Sequence, residues 1–246
     1  MPRFLVILEY DGGPFVGWQR QENGLSVQGA LEEAIFRYCG ERVTAHSAGR
    51  TDAGVHAIGM PAHFDIEKDA DPYRVCEALN FHLKPQPVAV LSVVRAATDF
   101  HSRFSAVRRH YRYRIINRRA PLALDLGRAW RLAPPLDASS MHQSAQSLVG
   151  RHDFTTFRAS TCQAETPVKT LSSISVRRDG DEVIVETSAR SFLHHQVRSM
   201  VGSLVEVGFG RWSAADFESA FHARDRQRCG QVAPAEGLYF LKADYD

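Results

Sequence analysis

The stretch from Arg42 to Ile66, RVTAHSAGRTDAGVHAIGMPAHFDI, decides the fold of this chain. Residues 42–47 and 59–66 read as two strands, and Gly49 and Gly54 allow the connection between them a tight backbone path. Working outward, Phe4 to Glu9 is a β-rich run followed by a loop with glycines at 12, 13, 17 and 24. Ser26 then caps a helix whose apolar positions Val27, Ala30, Leu31, Ala34, Ile35 and Tyr38 recur at helical spacing and which ends at Gly40. On the other side, Asp71-Pro72 opens a second helix through Val75, Cys76 and Leu79, and Val88 to Val94 forms a last strand. The order is β-α-β-β-α-β, the ferredoxin-like arrangement.

The second half repeats that order. Tyr111 to Ile116 is a strand, and a helix runs from about Asp137 to Val149, stopped by Gly150. A hairpin of 174–177 and 182–187 turns at Asp179-Gly180. The next helix carries Leu193, Val197, Met200, Val201, Leu204 and Gly208 on one stripe, a shorter helix over 213–223 is an insertion, and 237–243 is the last strand. The expected fold class is therefore α+β, with two ferredoxin-like halves, residues 1–105 and 106–246, whose antiparallel sheets lie side by side with a catalytic cleft between them.

Composition narrows the function. Hydrophobic residues at 44% and charged residues at 24% describe a globular chain and exclude a disordered one. No apolar run reaches the roughly 18–20 residues of a membrane span, so a cytoplasmic protein with no membrane partner is expected. Cys39, Cys76, Cys162 and Cys229 form no CxxC pair, and His194 and His195 are adjacent on a helix with no HExxH spacing, so no metal site is expected. The net charge is only +2, yet seven arginines (103, 108, 109, 112, 114, 118 and 119) occur between His101 and Arg119 without one Asp or Glu. That local field suits a polyanion, although a solvated basic strand and loop would look the same.

Three segments can carry chemistry. In Gly49 to Ala57, an extended path would project Arg50 and Asp52 from one side, where the guanidinium would keep the carboxylate ionised; a structural turn with an exposed ion pair has the same residues. In Arg108 to Arg114, strand alternation puts Tyr111 and Tyr113 on one face, able to stack on a base, and Arg112 and Arg114 on the other, able to bind phosphate; both tyrosines could equally be core residues. In Phe192 to Arg198, Arg198 stands at the border of an apolar stripe and either finds an anionic partner or extends into water.

Taken together with YDGGPFVGWQRQ, SVQGALEEA, FHSRFSAVRRHYRYRI, DFTTFRAS, FLHHQVRSMVGSLVEVG and APAEGLYFLKADY, the segment AGRTDAGVHA resembles the TruA family of tRNA pseudouridine synthases over nearly the whole chain. The resemblance implies that Asp52 is the catalytic aspartate, that Tyr111 stacks on the target base, that Arg198 pairs with the aspartate, and that Arg50 contacts RNA or positions Asp52. Arg109 and Arg112 of the basic segment are further expected substrate contacts. It also implies uridine at tRNA positions 38 to 40, in the anticodon arm, as substrate, a homodimer, and no cofactor. The chain departs from the family pattern at Met60-Pro61 and at Leu83 to Pro87, neither of which carries a catalytic position. Two other functions compete: an RRM-type RNA-binding module, which leaves Asp52 unexplained, and a metal-dependent hydrolase.

Overall fold

The computed structural model describes residues 1–246, with ten strands and five α-helices in a mixed α/β arrangement. No helix is long and apolar enough to cross a membrane. The chain divides into two compact units, Met1–Arg109 with Tyr239–Asp246, and His110–Leu238.

The first unit runs β1 (Arg3–Tyr10), α1 (Val27–Cys39), β2 (His46–Ser47), β3 (His56–Asp65), α2 (Pro72–Leu83) and β4 (Val88–Ala96). Strand β1 lies between two antiparallel neighbours, with Val6 opposite Ala62 of β3 and Val93 of β4. Strand β2 pairs antiparallel with β3 at His46↔His63, while the C-terminal strand β10 (Leu238–Tyr245) runs parallel to β3 at Tyr239↔His56. The period-two alternation of β1 sends Phe4, Val6 and Leu8 into the core, where Phe4 stacks on Phe64 with centroids 5.9 Å apart. Helix α1 lays Val27, Leu31, Ala34 and Ile35 on that core, and α2 lays Val75, Leu79 and Leu83.

The helix ends follow the sequence signals. Ser26 Oγ accepts from Gly29 N–H, Gly40 closes α1 at φ 80°, and Asp71 accepts from Tyr73 N–H ahead of Pro72. The strand expected over 42–47 shrinks to His46–Ser47. The buried side chains of α1 take its backbone groups instead: Ala45 N–H donates to Glu32 Oε1 at 3.0 Å and Ala45 C=O accepts from Gln28 Nε2 at 3.2 Å.

Strand β5 (Ala106–Asn117) begins in the first unit and enters the second at His110, where it is followed by β6 (Trp130–Leu132), α3 (Ala138–Ala145), β7 (Gly150–Asp153), β8 (Val168–Asp179), β9 (Glu182–Ala189), α4 (Gln196–Gly208) and α5 (Ala214–His222). Strands β5, β9, β8 and β7 are consecutive neighbours, and the hairpin β8–β9 turns through Gly180 at φ 56°. Helix α4 is the spine of this unit, with Val197, Met200, Val201 and Leu204 buried. Gly202 of α4 meets the 231–233 segment so closely that a Cβ there would fall 1.6 Å from Gln231 O.

Helix α4 starts later than its apolar stripe indicates. His195 adopts φ 61°, and Leu193 N–H donates to Gln196 Oε1 at 2.8 Å, so Leu193, His194 and His195 form a turn before the first helical residue. The two histidines are therefore not helix residues. Strands β6 and β7, three and four residues long, are too short to carry a periodic signal in the sequence.

Candidate active site

The Asp52 loop is built by two glycine-rich segments of the first unit gripping each other. Gly17 forms a bridge with Asp52, Trp18 N–H donates to Thr51 O at 3.0 Å, and the hydroxyls of Tyr10 and Thr51 are 2.8 Å apart and buried. Gly17 has φ 110°, and a Cβ on it would meet Thr51 O at 2.5 Å. Below this bridge, Val55 N–H donates to Asp52 O at 3.1 Å across a turn in which Gly54 has φ 78°. The base of the turn is tied to the loop that follows β1 by Gly12 N–H donating to His56 Nδ1 at 3.0 Å, and the His56 ring stacks on Tyr239 at 4.8 Å. Asp52 is thereby a half-buried carboxylate on a backbone held on both sides. Tyr10, Gly12 and Gly17 were not singled out as site residues. The density of glycines and aromatics over 10–18 was the available signal.

Arg50 is exposed and forms no ion pair with Asp52.

Arg109, expected as a substrate contact, is only 9% exposed, and its guanidinium is occupied by main-chain carbonyls. Nε and Nη2 donate to Ala48 O at 3.1 and 2.9 Å, Nη1 donates to Ala106 O at 3.0 Å, and Nη2 also reaches Arg103 O. Arg109 thus pins the start of the Asp52 loop to the turn preceding β5. Burying that cation is tolerable because each bond is charge-assisted.

In the second unit, Tyr111 of β5 is half-buried and meets Phe192 edge-on, with centroids 5.1 Å apart at 85°. Tyr113, two residues along, is a core residue: it is fully buried, its hydroxyl donates to Pro234 O at 2.7 Å, and burial pushes its ionisation well above the usual tyrosine range. Arg198 lies in the first turn of α4, half-buried, with Nε donating to Ala233 O at 2.8 Å while Ala233 N–H donates to Arg198 O at 3.1 Å. That reciprocal pair fixes the side chain's departure from the helix.

The basic run is less naked than it reads in sequence. Arg112 binds Glu186 through Nε and Nη2 at 2.8 and 2.7 Å, and Arg114 binds Glu182 at 2.5 Å and Asp125 at 3.1 Å. Arg118 lies 3.8 Å from Asp181. The neighbouring strand β9 supplies Glu186 and Glu182, which the linear sequence separates from Arg112 and Arg114 by 74 and 68 positions. Arg103, Arg108 and Arg119 stay exposed.

The first unit thus presents a carboxylate on a backbone held from both sides, and the second a half-buried tyrosine on a strand and an arginine oriented at a helix start. The family model described as tRNA pseudouridine synthase matches residues 6–105 and 144–246. Proteins named tRNA pseudouridine synthase A from Afipia carboxidovorans (61% identical over 245 residues, all of both chains) and Maricaulis maris (60%, all of this chain and 98% of the relative) align end to end with it. The one from Rhodospirillum centenum is 60% identical, again over all of both chains. The chain belongs to the tRNA pseudouridine synthase family, the isomerases that convert uridine to pseudouridine in tRNA.

Proposed function

We infer that this chain isomerises uridine at positions 38, 39 and 40 of the tRNA anticodon stem and loop, with Asp52 as the essential carboxylate. The observation that carries the reading is the doubly anchored Asp52 loop, against which a Cβ on Gly12 would fall 2.1 Å from Val55 O and one on Gly17 2.5 Å from Thr51 O.

The reaction breaks the N1–C1′ bond, turns the uracil, joins C5 to C1′ and releases the C5 proton to the base's surroundings. No atom is gained or lost and no redox change occurs, so the chemistry requires no cofactor. Asp52 acts as an ionised carboxylate, either attacking C1′ to form an ester or removing the 2′ proton to give a glycal. Tyr111 stacks on the extruded base, which offsets part of the few kcal/mol spent in flipping it from a stem. Arg198 supplies the cation that balances the carboxylate's charge in the catalytic complex. Arg50, exposed at the start of the loop, contacts the RNA backbone together with exposed arginines of the 103–119 segment. Arg112 contributes less, because Glu186 already holds it.

We read the chain as two ferredoxin-like halves, 1–105 and 106–246. In the first, strands β4, β1, β3 and β2 in that spatial order support the reading. We also assign it to the cytoplasm, where tRNA is the available substrate, and to a homodimer, since one 27.5 kDa subunit offers limited surface to a bent tRNA. Sedimentation at micromolar concentration tests the dimer, and a monomer would refute it. The activity is tested by incubating the protein with unmodified tRNA and mapping pseudouridine with a reagent whose adduct blocks reverse transcription. Stops at 38–40 are expected; stops only elsewhere, or none, would overturn the position or the activity.

A further inference from the structure

The first unit holds a cavity of about 330 Å³ that the Asp52 loop does not use. That volume lies at the small end of ligand sites, roughly 300–1,000 Å³. Its walls include Arg3, Arg42, His46, His63 and His101, with Asp65 as the lining carboxylate. Asp65 does not leave the cavity neutral, because Arg3 already holds it through Nε and Nη2 at 2.8 and 2.7 Å; Arg3 Nη1 is occupied by the carbonyls of Thr98 and Phe100. What remains is Arg42 and three imidazoles. Arg42 lies over the Phe36 ring at 3.8 Å, and its only carboxylate, Glu33, is 3.7 Å away on an exposed surface.

The imidazoles form one cluster: His46 stacks on His63 with centroids 5.2 Å apart, His101 meets His63 edge-on at 4.6 Å, and His101 lies tilted to His46 at 5.3 Å. Backbone amides decide the tautomers of two of them. Ser102 N–H donates to His63 Nδ1 at 3.1 Å, and Arg103 N–H donates to His101 Nδ1 at 3.1 Å. Both rings therefore accept at Nδ1 and carry their proton on Nε2. A cation would need the lone pair that Nε2 lacks in this tautomer, whereas an anion finds an N–H donor. Beside His101, at 4.4 Å, the Phe104 ring is 73% exposed, with Arg103 5.7 Å above it.

We propose that this cavity binds a backbone phosphate of the RNA substrate, gripped by Arg42, His46 and His101, with an adjoining unpaired base stacked on Phe104. The proposal rests on the tRNA reading above and adds to it a second contact in the unit that carries Asp52. His46 sits in β2, the strand that leads into the Asp52 loop, so a phosphate here would fix the RNA close to the reacting loop in the chain.

Binding is linked to protons. Burial and neighbouring positive charge keep His63 neutral down to about 4 and lower His101, the groups facing them being one another, His46, Arg3 and Arg103, with Asp65 opposing at His63. Asp99 and the Met1 amino group act on the Arg3–Asp65 pair. An anion beside His101 favours the imidazolium, whose second proton goes onto Nδ1 in place of the Arg103 N–H bond, so binding strengthens as pH falls from the neutral range through the lowered His101 midpoint.

The test is a titration of the histidine ring protons by NMR with sulfate, whose charge is constant over that range, and with a short anticodon-arm RNA. Sulfate should raise the His101 midpoint by about one pH unit, as an opposite charge within roughly 4–6 Å does. The shift should vanish in the double variant Arg42→Ala/His46→Ala, both of whose side chains are on the surface and outside the core. The RNA should compete with sulfate in the wild type, and the double variant should raise KM for tRNA severalfold more than it lowers kcat. No shift with sulfate, an equal shift in the variant, or sulfate binding without RNA competition would each overturn the proposal. Wild-type protein that forms no pseudouridine would instead overturn the isomerase reading and leave the sulfate titration to be judged by itself.

Discussion

Replacing Gly17 with alanine tests whether the bridge to Asp52 is what holds the carboxylate in place. Gly17 has φ 110°, and its new Cβ would lie 2.5 Å from Thr51 O and 3.1 Å from Asp52 C, both backbone atoms that no side-chain rotation can move aside. The backbone conformation alone costs an L-residue about 1–3 kcal/mol. For a chain of this size that lowers Tm by roughly 2–4 °C per kcal/mol. The overlap is relieved only by opening the bridge. Because Trp18 N–H is bonded to Thr51 O and Val27 N–H to Gly17 O, the opening displaces Asp52 and leaves the start of α1 in place. A displacement of about 1 Å at a reacting group costs on the order of 100-fold in rate. Thermal unfolding followed by circular dichroism and single-turnover pseudouridine formation read the two effects separately. Gly40→Ala is the control: φ is 80° there, but nothing lies within 4 Å of the added Cβ, so it should lose about 1 kcal/mol and keep the wild-type rate. A Gly17→Ala protein with the single-turnover rate of the wild type would refute the reasoning.

Tyr111→Phe should keep the edge contact to Phe192 and most of the affinity for RNA, while Tyr111→Ala loses roughly 1–3 kcal/mol of base stacking; fully active Phe and Ala variants would remove the stacking role. Arg108→Gln should reduce the slope of log K against log salt by about one, and Arg112→Gln by clearly less, because Glu186 already neutralises Arg112; equal slopes from filter binding at several salt concentrations would contradict this. Gly202→Ala should destabilise the second unit, since its Cβ would fall 1.6 Å from Gln231 O and force α4 away from the 231–233 segment; a Tm equal to the wild type would show that the segment yields freely.

Local signals in the sequence were reliable where a single element decides its own ends. Ser26, Gly40, Asp71 and Asp137 cap as their residue types require, and Gly180 turns the β8–β9 hairpin at positive φ. What sequence could not carry was decided by distant partners. Ala45 is kept out of the strand because Gln28 and Glu32, polar residues on a helix, turn inward and take its amide and carbonyl. Arg109 looks like any other arginine in a basic run until the Ala48 carbonyl is folded onto it. Arg112 and Arg114 read as phosphate ligands because Glu186 and Glu182 lie a strand away in space but far along the chain. Helix α4 was extended too far toward its N-terminus because Leu193, which is buried, continues the apolar stripe without being helical. The Asp52 loop was legible as a motif, but its two-sided anchoring by Tyr10, Gly12 and Gly17 needs tertiary geometry.

The central claim is that the Asp52 carboxylate carries the chemistry, and Asp52→Asn tests it most directly. The amide is nearly isosteric, and the bonds that hold the loop run through the Asp52 backbone and through Thr51, so fold and tRNA affinity should match the wild type. Its nitrogen and oxygen can neither attack C1′ nor accept the 2′ proton as a carboxylate does. Purified wild-type and Asp52→Asn proteins are compared for Tm, for Kd with unmodified tRNA, and for pseudouridine formed under single-turnover conditions. The account predicts unchanged Tm and Kd with no pseudouridine above the uncatalysed background. Turnover near the wild-type rate in the Asn variant would contradict it.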